Sequence, residues 1–87
     1  MSEKLWVAIY DTERGTGEAS WMVRVIKRYG VQAETGHSPY FGNTSVLVKM
    51  VPTVKNLQKL RSVLKRQTGN DIDIDLIRSN IRRGLAT

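Results

Sequence analysis

Between Leu5 and Tyr29 the spacing of apolar residues switches from a period of two to a period near 3.6, and that switch bounds the folds open to the chain. Residues 4–10, KLWVAIY, alternate, with Leu5, Val7 and Ile9 on one face and Trp6, Ala8 and Tyr10 on the other. Both faces are largely apolar, which predicts a central strand. Residues 11–17, DTERGTG, read as a loop. Residues 17–29 then place Ala19, Met22, Val23, Val25, Ile26 and Tyr29 on one helical face, and Ser20, Arg24, Lys27 and Arg28 on the other. Thr16 is positioned to cap this helix, Glu18 lies in its first turn where the dipole favours an acid, and Gly30 stops it.

The same alternation of periods continues. Residues 31–36 read as a short strand, residues 36–43 (GHSPYFGN) as a turn-rich loop, and residues 44–51 as a strand with Val46, Val48 and Met50 facing one way. Pro52 and Thr53 open a helix over 53–68 whose apolar side carries Val54, Leu57, Leu60, Val63 and Leu64, and Gly69 and Asn70 end it. Residues 71–75, DIDID, alternate as an edge strand does, and Asp75 is placed to cap a last helix over 76–83. The resulting order, βαββαβ plus a short C-terminal helix, predicts an α+β domain of ferredoxin-like type. Four antiparallel strands would form one sheet, with two helices on one face. With 87 residues the chain makes a single domain, 1–87, that buries roughly 60% of its unfolded surface, too thin a core for an elaborate catalytic cavity.

Charge supplies the functional signal. The net charge is +6, and residues 1–34 and 71–87 are each balanced. Between Glu34 and Asp71 there is no acid, while Lys49, Lys55, Lys59, Arg61, Lys65 and Arg66 fall there. Such asymmetry points to a polyanion. On the second helix Lys55, Lys59, Ser62 and Arg66 form one stripe opposite the leucines, about 16 Å long, flanked by Lys65 and Arg61. Arg24, Lys27 and Arg28 on the first helix add a second row. These residues are the candidate phosphate contacts, giving salt-dependent, sequence-tolerant affinity for RNA or DNA.

Trp6 and Tyr10, with Leu47 and Val51 on the neighbouring strand, are candidate interface residues. Aromatics on an open sheet face stack bases in RNA-binding sheets, but Leu47 and Val51 suit burial better. The expectation is therefore a homodimer through this face, or a cover from the C-terminal helix. Cysteine is absent, which excludes disulfides and thiolate metal sites. No apolar stretch approaches the ~18 residues of a membrane span, so the expected location is the cytoplasm and no membrane partner is expected. Asp71, Asp73 and Asp75 lack the glycine and glutamate of a calcium loop, with Leu76 and Arg82 in those places. The loop Arg14-Gly15-Thr16-Gly17 is a weak phosphate-binding pattern without a Walker motif.

Two resemblances bear on enzymatic alternatives. The order VIKRYG, TGHS, VLVKMVP, LRSVLKRQTG is similar to that of HicA-type toxin ribonucleases over about half of the chain, and implies His37 as a general base for RNA cleavage. Gly36-His37-Ser38 stands where that family has Gly-Ser-His. Tyr10-Asp11 and Tyr29-Gly30 resemble the small CRISPR-associated nucleases, which implies Asp11 as a metal ligand at a dimer axis. The reading adopted is a non-enzymatic nucleic-acid-binding module with no catalytic residue, metal or cofactor. A small regulator of viral or mobile-element type that binds an acidic host protein is the alternative from another class.

Overall fold

The structure, a computed structural model, describes residues 3–38 and 42–84. Its elements run β1 (Leu5–Glu13), α1 (Glu18–Arg28), β2 (Gln32–His37), β3 (Asn43–Met50), α2 (Val54–Thr68) and α3 (Ile74–Arg82). The three strands form one antiparallel sheet in the order β1-β3-β2. The ferredoxin-like expectation of four strands is therefore wrong. β1 lies at an edge rather than in the centre, and the residues read as a fourth strand pair with nothing.

The reason is local. Asp71 folds back on its own backbone, its exposed carboxylate accepting the Ile72 backbone N–H at 2.9 Å. Asp73 leaves the extended state as an N-cap, accepting the Leu76 backbone N–H at 3.0 Å. The helix that follows buries Ile77, with Ile74 and Ile81 packed on the same core. The spacing 74, 77, 81 is a helical stripe, and it outweighs a period-two pattern only five residues long. α3 thus begins two residues before the predicted 76, capped by Asp73 rather than Asp75.

α1, α2 and α3 all bury their apolar sides in one core with Val7, Ile9, Val46, Val48 and Met50. α1 packs over β2 and β3, α2 lies beside α1, and α3 bridges α2 and β1. Leu57, Leu60 and Leu64 of α2 are 0–7% exposed. Burying each is worth about 1.5–3 kcal/mol, so this leucine seam fixes which way α2 turns its charges. Thr53 caps α2, its hydroxyl accepting the Asn56 N–H at 3.1 Å. Gly69 ends it at φ 76, a left-handed conformation that a residue with a Cβ adopts only at a cost. Gly17, also left-handed, is the N-cap of α1. Thr16 supports the same turn by accepting the Glu18 N–H at 3.3 Å.

A β-bulge between Ala8 and Tyr10 breaks the alternation of β1. Before it, Val7 pairs with Val48 on the helix side, and Trp6 and Ala8 pair with Lys49 and Leu47 on the other face. After it, Tyr10 pairs with Val46 and packs against the core. Tyr10 therefore does not share the open face with Trp6, as strict alternation predicted. No helix among the described residues is long and apolar enough to cross a membrane.

Candidate nucleic-acid interface

The stripe on α2 is formed as its spacing predicts. At 100° per residue Lys55, Lys59, Ser62 and Arg66 fall within an arc of about 60°, opposite Leu57, Leu60 and Leu64. All four are exposed. Arg24, Lys27 and Arg28 are exposed on α1, which packs directly against α2. The C-terminal ends of the two helices are tied where Gln67 Nε2 donates to the Tyr29 hydroxyl at 3.5 Å.

Arg61 separates from the rest. It forms a two-pronged pair with Asp71, Nε to Oδ1 at 2.5 Å and Nη2 to Oδ2 at 3.0 Å. The Arg61 hydrogen bond is the main cause holding the Asp71 carboxyl below its ordinary range, with smaller help from the Ile72 N–H and the charge of Lys65. This is the only ion pair among the described residues. Lys55, Lys59, Lys65 and Arg66 on α2, and Arg24, Lys27 and Arg28 on α1, thus form no ion pair with a carboxylate, Lys65 acting on Asp71 only through its charge at longer range.

The acids stand elsewhere. α2 has none, and the one on α1, Glu18, is engaged at the helix start, accepting from the Thr12 hydroxyl at 3.2 Å. Glu18 and burial act together on Tyr10. Burial first, then the charge and hydrogen bond of Glu18, push the phenol above its ordinary range. Asp11 and Glu34 lie on the opposite side of the sheet, in register with Ser45 and Leu47. The domain is therefore polarised, with a cationic helical layer and acids on the sheet side and around the start of α3.

The sheet face away from the helices carries the cross-strand rows Trp6–Lys49–Gln32 and Ala8–Leu47–Glu34. Trp6, Ala8 and Leu47 are half-buried. Leu47 leans over Gly36, where a Cβ would come within 2.7 Å of its Cδ1. α3 packs on the helix side, so it is not the cover for this face. Val51 lies just past the end of β3 and lines a cavity rather than the sheet face.

That cavity, about 480 Å³, lies among the end of α1, the end of β3 and the first half of α2. Its walls include Ile26, Tyr29, Met50, Leu60 and Val63, and Lys4, Lys49 and Lys59 surround it. Sequence reasoning passed over Lys4 and Lys49 as a site, because 45 positions separate them and only the antiparallel pairing of Leu5 with Met50 brings their ends together.

The residues implied by the two resemblances are placed as follows. Asp11 accepts the Ser45 hydroxyl at 3.0 Å and the Ser38 hydroxyl at 2.9 Å, so its carboxylate braces β1 against β3 and the end of β2. No group of three His, Cys, Asp or Glu residues able to hold a metal occurs among the described residues. His37 ends β2 in register with Thr44 and is exposed, rather than lying in a loop. Pro39, Tyr40 and Phe41 of that segment lie outside the described residues. In comparisons with known proteins, the chain matches no protein-family model, no curated protein and no solved structure, and the likenesses to ribonucleases and nucleases rest on short runs of residues alone.

Proposed function

We propose that this chain is a non-enzymatic nucleic-acid-binding module that holds phosphates on the outward faces of α1 and α2. The observation that carries the reading is the set of exposed cations on two adjoining helices, Arg24, Lys27, Arg28, Lys55, Lys59, Lys65 and Arg66, none in an ion pair with an acid. Phosphates contributed by RNA or DNA replace small counterions on such a surface, and release of those counterions drives binding. Ser62, between Lys59 and Arg66, adds a hydroxyl donor to the row.

The test is a titration of labelled RNA and DNA across salt. Affinity falls steeply as salt rises, and Lys55→Glu, Lys59→Glu and Arg66→Glu together abolish it. Absence of binding at low salt, or affinity indifferent to salt, removes the reading and directs the same cations to an acidic protein surface instead.

The sheet face supports a second element of the proposal, a homodimer. Trp6, Ala8 and Leu47 form a half-buried apolar strip that no described helix covers, and Lys49 and Glu34 beside it offer complementary charges to a second copy. Sedimentation then shows a dimer, and Trp6→Glu yields a monomer. A wild-type monomer at high concentration removes this element without touching the phosphate surface.

A further inference from the structure

We infer that the cavity between α1, β3 and α2 receives one unstacked base of the bound strand, so that the module prefers single-stranded to duplex nucleic acid; this rests on the nucleic-acid reading above. Among the described residues, two cavities of similar size differ in their chemistry. The one between α2 and the start of α3, about 470 Å³, is lined by Asp71, Asp73 and Asp75 along with Arg61, so its carboxylates repel a phosphate. The one at the end of α1 has no carboxylate among its lining residues and three lysines, Lys4, Lys49 and Lys59.

An apolar interior with a cationic border selects an anion with an apolar body. Ile26, Met50 and Leu60, all at least nine-tenths buried, give the apolar floor. Tyr29, 50% exposed, brings an aromatic ring to the opening, where a base finds a stacking partner. Asn56 gives a polar edge. Its Nδ2 donates to the Val51 carbonyl at 2.9 Å, which fixes the amide and leaves Oδ1 to accept from an exocyclic amine. The volume lies within the roughly 300–1,000 Å³ of small-molecule sites, ample for one base. Lys59 belongs both to the α2 stripe and to this border, so a strand tracking the stripe arrives at the cavity with its phosphates already held. A paired base reaches such a cavity only after unstacking, which duplex resists by a few kcal/mol.

The experiment compares a labelled single-stranded oligonucleotide with a duplex of the same length at matched salt. The wild-type chain binds the single strand about tenfold more tightly. Val63→Trp fills the cavity and brings single-strand affinity down to the duplex value, with duplex affinity unchanged. Lys4→Gln, which leaves the core and the sheet face intact, narrows the same gap and serves where the tryptophan variant does not fold. Equal wild-type affinities for the two forms overturn the inference while leaving the phosphate surface standing, and so does a preference undiminished in the lysine variant. Failure to bind either form at low salt removes the proposed function and the inference together.

Discussion

Arg61 gives the sharpest test of the phosphate surface, because its charge and its structural position point opposite ways. By sequence it is one more cation in the acid-free interval. In the structure its guanidinium is held through Nε and Nη2 by Asp71. Removing the pair together, Arg61→Ala with Asp71→Ala, leaves the net charge unchanged and takes away no free cation. Lys59→Ala takes away one. Each phosphate neutralised contributes about 0.7 to the slope of log affinity against log salt for a single strand, and about 0.9 for a duplex. Between 50 and 200 mM salt, a fourfold change, one lost contact therefore alters the loss of affinity by about threefold. The measurement is fluorescence anisotropy over that salt range. The expected result is a slope lowered by about 0.7 on a single strand or about 0.9 on a duplex in Lys59→Ala, and unchanged in the double variant. A double variant whose slope falls as far as that of Lys59→Ala shows that Arg61 exchanges Asp71 for phosphate, and that the division into paired and unpaired cations has no functional meaning. The pair is exposed and screened by solvent, so the fold tolerates its loss.

Two further outcomes test the fold. Ile77→Ala truncates the one buried side chain of α3 and is expected to cost about 2–5 kcal/mol in urea unfolding; a loss below about 0.5 kcal/mol, as for surface substitutions, contradicts the docking of α3 on the core. Tyr10 titrates higher in the folded than in the unfolded chain, so the unfolded state loses its proton first as pH rises. Stability from this group is complete below about pH 10 and declines above it. Tyr10→Phe flattens that alkaline decline in thermal melts, and an unaltered pH profile refutes the upward shift that burial, with help from Glu18, gives the phenol.

The sequence reveals whatever depends on local pattern and conceals what depends on competition between patterns. α1 and α2 are legible because the leucine and valine spacings, Thr53 and the glycines at 30 and 69 agree with one another. The outward stripe follows from the same periodicity. The end of the chain is harder. Ile72 and Ile74 satisfy a period of two, while Ile74, Ile77 and Ile81 satisfy a helical one, and the Asp73 cap decides between them. Tyr10 is misplaced for another reason: a bulge leaves no mark in the alternation KLWVAIY, and its effect appears only when β3 sets the register. The pairing of Arg61 with Asp71 joins two residues across the turn after α2, and nothing in the charge count separates Arg61 from Lys59. The cavity lysines come from three distant segments and depend on strand pairing.

With no fourth strand beside it among the described residues, β1 presents along its outer side the backbone groups that a neighbouring strand would have satisfied. A long, regular, apolar strand in that position invites the same strand of another molecule to add to it, and aggregation follows. The bulge at Ala8 to Tyr10 interrupts the regular spacing of those groups and strengthens the local twist, so a flat partner cannot extend past it. Deleting Ile9 would make the strand regular again. Ala8 and Tyr10 would then alternate directly, with Tyr10 still opposite Val46 on the core side and Asp11 still opposite Ser45, so the edge would lose its irregularity without any side chain changing faces. The irregularity that defeats a simple alternation is thus a safeguard for the chain in crowded solution.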